Sequence, residues 1–329
     1  MAKVGMIGAG SWGTALALVL ADNGHDVVLW SHEAEHIAMM RADGENKLFL
    51  PGVPLPDCLV YTDDIVSAVG GCDFVVFAVP SHAMQSVAAG LQGHIAGQAI
   101  LVSVAKGFSL DSHQRMSEVL TEAFPDNRVA VLSGPSHAEE VSRRIATAVV
   151  AASESEEAML AVQQLFSNDY MRVYTNSDVI GVELGGSLKN VIALASGICY
   201  GLGGGDNTEA AVLTRGLKEI VRLGVAMGAQ EQTFYGLSGM GDLVVTCGSL
   251  HSRNRRAGMM LGEGKKLDEV LDSMGMVVEG VNASRIAYTL AEEYNIDMPI
   301  TSTIYSVLYQ DVPVSEIAVG LMRRDKKQE

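Results

Sequence analysis

Val4-Gly5-Met6-Ile7-Gly8-Ala9-Gly10-Ser11-Trp12-Gly13-Thr14 joins a short β-rich run to a helical pattern, Thr14–Asn23, which Gly24 ends. Its glycines have the G-x-G-x-x-G spacing, a weak signal alone that gains meaning between a strand and a helix. Each has its own task. Gly8 permits the tight turn, Gly10 lets backbone approach a pyrophosphate, and Gly13 lets helix and strand pack closely. The helix N-terminus adds free N–H groups and partial positive charge. The segment is therefore a candidate phosphate cradle for a dinucleotide, against the alternative of an ordinary glycine-rich βα turn.

A second strand candidate, Val27–Trp30, ends in Ser31-His32-Glu33. NAD-specific sites place an acid here for the ribose 2′-hydroxyl, which would repel a 2′-phosphate. Ser31 and His32 occupy that place, Glu33 lies just beyond, and Arg41 is near enough in sequence to fold back. Either NAD or NADP is admitted, with a lean towards NADP; the alternative is that Ser31 and His32 merely begin a loop.

Further strand candidates are Phe74–Val79, Ile100–Ala105, Val129–Leu132, Ala148–Ala152 and Val173–Tyr174. Several are continuous apolar runs, as expected for strands covered on both faces. The early ones are far enough apart for crossover helices, which predicts a doubly wound α/β domain with a parallel sheet. After Asn176 no comparable strand is found. Helical patterns follow over Val179–Leu202, Glu209–Met227, Arg253–Leu261, Leu267–Ser273, Val281–Glu293 and Thr303–Tyr309. The expected organisation is a dinucleotide-binding domain at 1–176 and an all-helical substrate domain at 177–329, with the boundary near Tyr174–Asp178 and a fraying charged tail at Arg323–Glu329.

Bulk properties agree with two globular domains: 329 residues, 48% hydrophobic and 19% charged. The 39 acidic and 23 basic residues give a formal charge of −16, which argues against general nucleic-acid binding. An anionic ligand must then be met by a local cationic cluster. The longest uninterrupted apolar run, Ala15–Ala21, is far shorter than the roughly 20 residues a bilayer requires, so no membrane span is expected. Lys3 opens directly into a strand, unlike a signal peptide. Cys58, Cys72, Cys199 and Cys247 form no CxxC pair, so neither disulfides nor a metal site is expected, and the compartment implied is the reducing cytosol.

Ligands in such sheets bind beyond the carboxyl ends of the strands. Lys106-Gly107 and Ser133-Gly134-Pro135-Ser136-His137-Ala138 fall there, so Lys106 is a candidate ligand residue against a plain loop role. A lactate-type dehydrogenase pairs its histidine with a carboxylate, and the sequence marks no obvious one for His82 or His137, which makes either a weak candidate for proton transfer. In the helical half, Gly185 and Gly186 each cost roughly 1 kcal/mol relative to alanine, which calls for close approach of a backbone or ligand. Lys189 follows, among Leu188, Val191, Ile192 and Leu194; burial there would suit it to exchange an alcohol proton, against a snorkelling surface role. Ser238-Gly239-Met240-Gly241-Asp242-Leu243 is expected to be a tight turn presenting Asp242, able to orient an ammonium or to serve as a turn or cap residue. Ser252-Arg253-Asn254-Arg255-Arg256 puts three arginines at a helix start, where they oppose the dipole unless an anion arrives; a solvated face is the alternative.

Together these motifs, with Gly185-Gly186-Ser187-Leu188-Lys189-Asn190-Val191 and Val277-Val278-Glu279-Gly280, resemble end to end the NAD(P)-dependent sn-glycerol-3-phosphate dehydrogenases of the bacterial biosynthetic type. The resemblance implies a Rossmann-like N-terminal domain and an all-α C-terminal domain of 6-phosphogluconate-dehydrogenase-like helical architecture. It implies reduction of dihydroxyacetone phosphate to sn-glycerol 3-phosphate for phospholipid synthesis, NADP or NAD as cofactor, and a cytoplasmic homodimer. Lys189 would be the proton donor and acceptor. Lys106, Gly134, Ser136, Lys189, Asn190, Asp242, Ser252, Arg253 and Asn254 would contact substrate. Gly8, Gly10, Ser11, Trp12, Gly13, His32, Lys106, Ala138, Arg253, Val277 and Glu279 would line the cofactor site. A relative acting on a hydroxy acid or ketopantoate, and a non-enzymatic cofactor sensor, are the competing expectations; the latter has no need of Lys189, Asp242 and Arg253.

Overall fold

Apolar runs without polar alternation become strands buried on both faces. The computed structural model describes residues 1–315 and divides into two compact units, Met1–Glu183 and the remainder from Leu184. The tail Arg323–Glu329 lies outside the described residues.

The first unit holds eight strands: β1 (Lys3–Ile7), β2 (Asp26–Trp30), β3 (Val60–Thr62), β4 (Phe74–Phe77), β5 (Ile100–Ser103), β6 (Arg128–Ser133), β7 (Thr147–Ala152) and β8 (Met171–Asn176). Their order is β3-β2-β1-β4-β5-β6-β7-β8. All pairs are parallel except β6 with β7. Helices α1 (Ser11–Asp22), α2 (Ala34–Asp43), α3 (Ile65–Val69), α4 (Met84–Gly90), α5 (Met116–Ala123), α6 (Ala138–Val141) and α7 (Glu156–Phe166) fill the connections. The sheet has a core on each side. Val76 and Val102 pack with Leu16 and Leu20, whereas Val75, Phe77 and Leu101 pack with Met116 and Leu120. This is the Rossmann-like, doubly wound layer that the apolar runs predict. The one antiparallel pair needs no crossover, and the short α6 suffices between β6 and β7. Strand β3 was not predicted: three residues long, with Val60 exposed, it has no apolar run to reveal it.

Because β1 has β2 on one side and β4 on the other, the chain order reverses beside it. The carboxyl end of β1 is thus the switch point at which this class of sheet receives ligands.

The second unit is helical among the described residues: α8 (Val179–Gly201, which begins in the first unit), α9 (Asp206–Ala226), α10 (Asp242–Gly248), α11 (Arg253–Gly262), α12 (Leu267–Met274), α13 (Glu279–Glu293) and α14 (Pro299–Tyr309). Glycine decides how closely α8 and α11 approach. A Cβ on Gly197 would lie 2.1 Å from the Arg255 carbonyl oxygen, and one on Gly258 would lie 2.3 Å from that of Leu194. Gly201 and Gly262 repeat the arrangement one turn on, so the two backbones touch directly. Four of the chain's 35 glycines serve this contact.

The unit division falls seven residues beyond the expected boundary at 176/177, inside α8. Glu183 gives the reason. It is buried and accepts from Arg115 Nη1 (2.7 Å), Ser117 N (2.8 Å) and Ser117 Oγ (2.5 Å), tying this turn of α8 to the start of α5. By length and composition α8 could cross a membrane, which the search for uninterrupted apolar runs missed because polar residues and glycines punctuate it. Within the protein 94% of its apolar window is buried, as in the core helix of a folded unit.

Candidate functional site

In the first unit, the turn after β1 is shaped by steric necessity. Gly8 has φ +117°, and a Cβ there would lie 2.8 Å from the Ala78 carbonyl oxygen. A Cβ on Gly13 would stand 1.9 Å from the Gly8 carbonyl oxygen. Gly10 differs: nothing lies within 4 Å of the place its Cβ would take. The fold itself leaves that space open, as a pyrophosphate requires. Gly10 caps α1 without a side-chain hydrogen bond, and no acidic residue occupies the first turn. Trp12 adds a buried indole Nε1 with no partner. These features fit a dinucleotide: an open cradle at a helix start that has no side-chain cap and no acidic residue in its first turn.

Beyond β2, Ser31 is buried while His32 is exposed, its Nε2 3.3 Å from Glu33 Oε1. Arg41 donates to the Tyr61 carbonyl in β3. Lys106, after β5, donates through Nζ to the Gly134 carbonyl at 2.8 Å and to Ser136 Oγ at 3.4 Å, after β6. Three predicted residues thus meet at one carboxyl edge. Gly134 is held by sterics as well, with φ +136° and the Val149 Cα 3.0 Å from its would-be Cβ. Ala138 begins α6 with its side chain in the core beside α1.

In the second unit, Lys189 is 6% exposed and its ammonium donates to Asp242 Oδ1 and, at 2.7 Å, to Thr246 Oγ1. The expectation of an amine among apolar neighbours is corrected: the stem is so placed, but the head group meets a buried carboxylate. Paired in this way the two groups compensate each other, and removing either partner would strand a buried charge. Asp242 is not on a tight turn. Leu237–Gly241 is a π-helical turn that runs straight into α10, placing Asp242 and Thr246 one turn apart on one helix. Gly185 permits the approach: its Cβ would fall 2.5 Å from the Ser238 carbonyl oxygen. The neighbouring thiol of Cys247 is pushed by burial up to about 12 and stays protonated.

A second polar line runs beside this pair. Asn254 Nδ2 donates to Asn190 Oδ1 at 2.9 Å, and Gly280 N donates to Asn254 Oδ1 at 2.8 Å, joining α8, α11 and α13. Ser252 caps α11, accepting from Arg255 N at 3.2 Å. The expected fork of three arginines divides. Arg255 is buried, donating to the Gly248 carbonyl at 2.9 Å, with Glu209 3.6 Å away and its guanidinium over Tyr200. Arg256 is exposed. Arg253 alone remains at the helix start, donating to the Val277 carbonyl at 3.0 Å, next to Val278 and Glu279 at the start of α13. Lys189 and Asp242 thus meet in one buried pair and Asn190 and Asn254 in another, all four on α8, α10 and α11, while Ser252, Arg253, Val277 and Glu279 lie at the starts of α11 and α13.

Sequence reasoning missed Thr246, whose signal was only its place one turn after Asp242, and Asn46 and His36, which belong to no motif. Among the described residues no group of three His, Cys, Asp or Glu side chains is disposed to hold a metal ion.

Known proteins match the chain in two parts. Residues 3–159 match the model of the NAD-dependent glycerol-3-phosphate dehydrogenase N-terminus, and residues 178–319 that of the corresponding C-terminus. The chain is 52% identical over 330 residues to the glycerol-3-phosphate dehydrogenase [NAD(P)+] of Enterococcus faecalis, covering 99% of this chain and 97% of that protein. It is 53% identical over 332 residues to the enzyme of that name in Geobacillus kaustophilus, covering 100% and 96%. The crystal structure of glycerol-3-phosphate dehydrogenase from Coxiella burnetii superimposes with a TM-score of 0.95 at 38% identity, covering 98% of this chain and 99% of that one. The chain belongs to the NAD-dependent glycerol-3-phosphate dehydrogenase family.

Proposed function

We propose that the chain interconverts dihydroxyacetone phosphate and sn-glycerol 3-phosphate using NADH or NADPH, with Lys189 as the proton donor. The buried Lys189–Asp242 pair carries this reading of the site, because a reductase of ketones needs a protonated group held ready away from water. When bound, the reduced nicotinamide supplies the hydride taken up by the carbonyl carbon. Lys189 passes one proton from Nζ to the carbonyl oxygen, so that hydride and proton together convert the ketone to a secondary alcohol. Asp242 and Thr246 hold the ammonium and keep its position as the proton leaves. In the reverse direction the amine accepts that proton.

Arg253, at the start of α11, holds the substrate phosphate by a charge-assisted contact. Lys106, Gly134, Ser136, Asn190, Ser252 and Asn254 complete the substrate contacts in this proposal. Gly8, Gly10, Ser11, Trp12 and Gly13 receive the dinucleotide phosphates, and His32, Lys106, Ala138, Arg253, Val277 and Glu279 line the rest of its site. Binding a phosphate remote from the carbonyl helps to orient the reacting carbon. The proposal extends to a homodimer in the cytoplasm that supplies the glycerol phosphate backbone of phospholipids.

Lys189→Ala tests the assignment. Its kcat for dihydroxyacetone phosphate should fall by about 10²–10⁴, the range for losing a general acid, while the Kd for NADH stays near the wild-type value. A variant that retains most of its kcat removes Lys189 from the mechanism.

A further inference from the structure

We infer that a buried chain of side chains, Asn46–His36–Ser31, ties the phosphate loop to the end of β2 and sets the preference between NADH and NADPH. The inference rests on the dinucleotide reading of the first unit and adds residues that no motif marks.

Asn46 is wholly buried, and His36 and Ser31 are 2% and 6% exposed. Asn46 Nδ2 donates to the Ala9 carbonyl at 2.9 Å and to Thr14 Oγ1 at 2.8 Å. A peptide carbonyl only accepts, so the amide has a single orientation. Its Oδ1 accepts from Phe49 N at 3.2 Å and faces His36 Nε2 at 2.9 Å, which must therefore carry a proton. In the neutral ring Nδ1 then holds a lone pair. Ser31 Oγ, 3.1 Å from Nδ1, must donate to it. The edge-on ring of Phe49, with its centroid 5.1 Å from that of the imidazole, fills the space beside the ring. One carbonyl in the phosphate loop thus fixes the direction of every proton as far as Ser31.

The two ends of this chain have different consequences. Ala9 lies between the first two loop glycines, so holding its carbonyl holds the peptides offered to a pyrophosphate, which NADH and NADPH share. Ser31 follows the last residue of β2, where this fold class reads the ribose 2′ substituent. With its proton committed to His36 and one lone pair facing Glu33 N at 3.5 Å, Ser31 has one lone pair left for a ligand. It can accept from a 2′-hydroxyl but cannot donate to a 2′-phosphate, which offers only acceptors at its ionised oxygens. His36 and Asn46 are accordingly positioning residues, and Ser31 is the reader.

Two substitutions cut the chain on opposite sides of the imidazole. His36→Gln keeps a donor near the Nε2 position for Asn46 and removes the acceptor of the Ser31 proton. His36→Asn keeps an acceptor near the Nδ1 position and releases Asn46. Kd values for NADH and NADPH are measured by titration calorimetry on the full chain, alongside kcat and the midpoint of thermal unfolding. His36→Gln should move the ratio of the two Kd values about fivefold towards NADPH, the worth of one hydrogen bond, with kcat within about twofold of wild type. His36→Asn should weaken both dinucleotides by a similar factor and leave the ratio unchanged. If His36→Gln does not fold, Ser31→Ala must move the ratio in the same direction by weakening NADH alone. A ratio that stays at the wild-type value in a folded His36→Gln or Ser31→Ala protein overturns the inference. Wild-type protein that binds neither dinucleotide overturns the dinucleotide reading itself, and the inference with it.

Discussion

Helices α1 and α11 both begin where the proposed function puts a phosphate, yet they are built in opposite ways. The first turn of α1 has a glycine cap, no capping side chain and no charged residue, so an anion would be met by peptide dipoles alone. The first turn of α11 is already capped by Ser252 and places Arg253 beside it. Helix α14 makes a third case. There the anion is part of the chain: the buried carboxylate of Glu219 accepts from Ile300 N at 2.7 Å, Thr301 N at 3.0 Å and Thr301 Oγ1 at 3.0 Å. A helix start can thus await an anion with peptide dipoles alone, await one with a guanidinium added beside it, or have its countercharge supplied by the fold. Burial and capping distinguish the three cases, since none is visible in helix propensity.

The largest test of the contrast is Gly13→Ala. Its methyl group would collide with a backbone carbonyl 1.9 Å away, so the loop must shift. A loss of about 3 kcal/mol in urea unfolding is expected, together with dinucleotide affinity too weak to measure by calorimetry. A variant that binds NADH normally would break the idea that backbone geometry alone makes the α1 site.

Arg253→Ala comes next. Loss of one charge-assisted contact should raise KM for dihydroxyacetone phosphate by roughly 10–100-fold, with a smaller change in kcat. Arg255→Ala, at a buried position engaged by Glu209 and the Gly248 carbonyl, should lower the unfolding midpoint and leave that KM close to wild type. The reverse pattern would show that the two arginines have been assigned to the wrong tasks.

Glu219 offers a pH test. Burial pushes its carboxyl from 4.5 up to about 6, against the lowering influence of the three donors and Arg222. A carboxyl raised by folding contributes stability that is complete below pH 4.5 and is lost as pH rises through about 6. Glu219→Gln has no such titration. The stability difference between wild type and variant should therefore move against the wild type by up to about 2 kcal/mol across that window. A difference that stays flat in denaturant unfolding at several pH values would mean that Glu219 does not titrate there.

The smallest effect belongs to Gly10→Ala. Its methyl group enters empty space, so the unfolding midpoint should stay within about 2 °C of wild type while dinucleotide affinity falls about tenfold. Equal affinity would remove the pyrophosphate from that space.

What the residues disclosed in advance follows from how far apart the cooperating groups are. The phosphate loop was legible because its glycines, strand and helix lie within a dozen consecutive residues. The strands that form the middle of the sheet were legible as apolar runs, whereas β3, short and exposed at the sheet edge, carried no such mark. Lys189 and Asp242 were both singled out, but their meeting, 53 residues apart, required the folded chain. Helix α10 was hidden because Ser238-Gly239-Met240-Gly241 lacks helical periodicity and resembles a turn, while in the fold it is a π-helical turn. The arginines of α11 looked equivalent in sequence. Burial of Arg255 against Glu209, from the first turn of α9, separates them.

Both tryptophans of the chain, Trp12 and Trp30, sit in the first unit, one in the opening turn of α1 and the other at the end of β2. Indole emission is therefore an optical reporter of the first unit alone, with Trp12 in the turn that follows β1. The helical half carries a different chromophore, the stacked tyrosines Tyr288 and Tyr305 with centroids 4.1 Å apart. Excitation selective for indole can follow a dinucleotide titration without a direct signal from the helical unit.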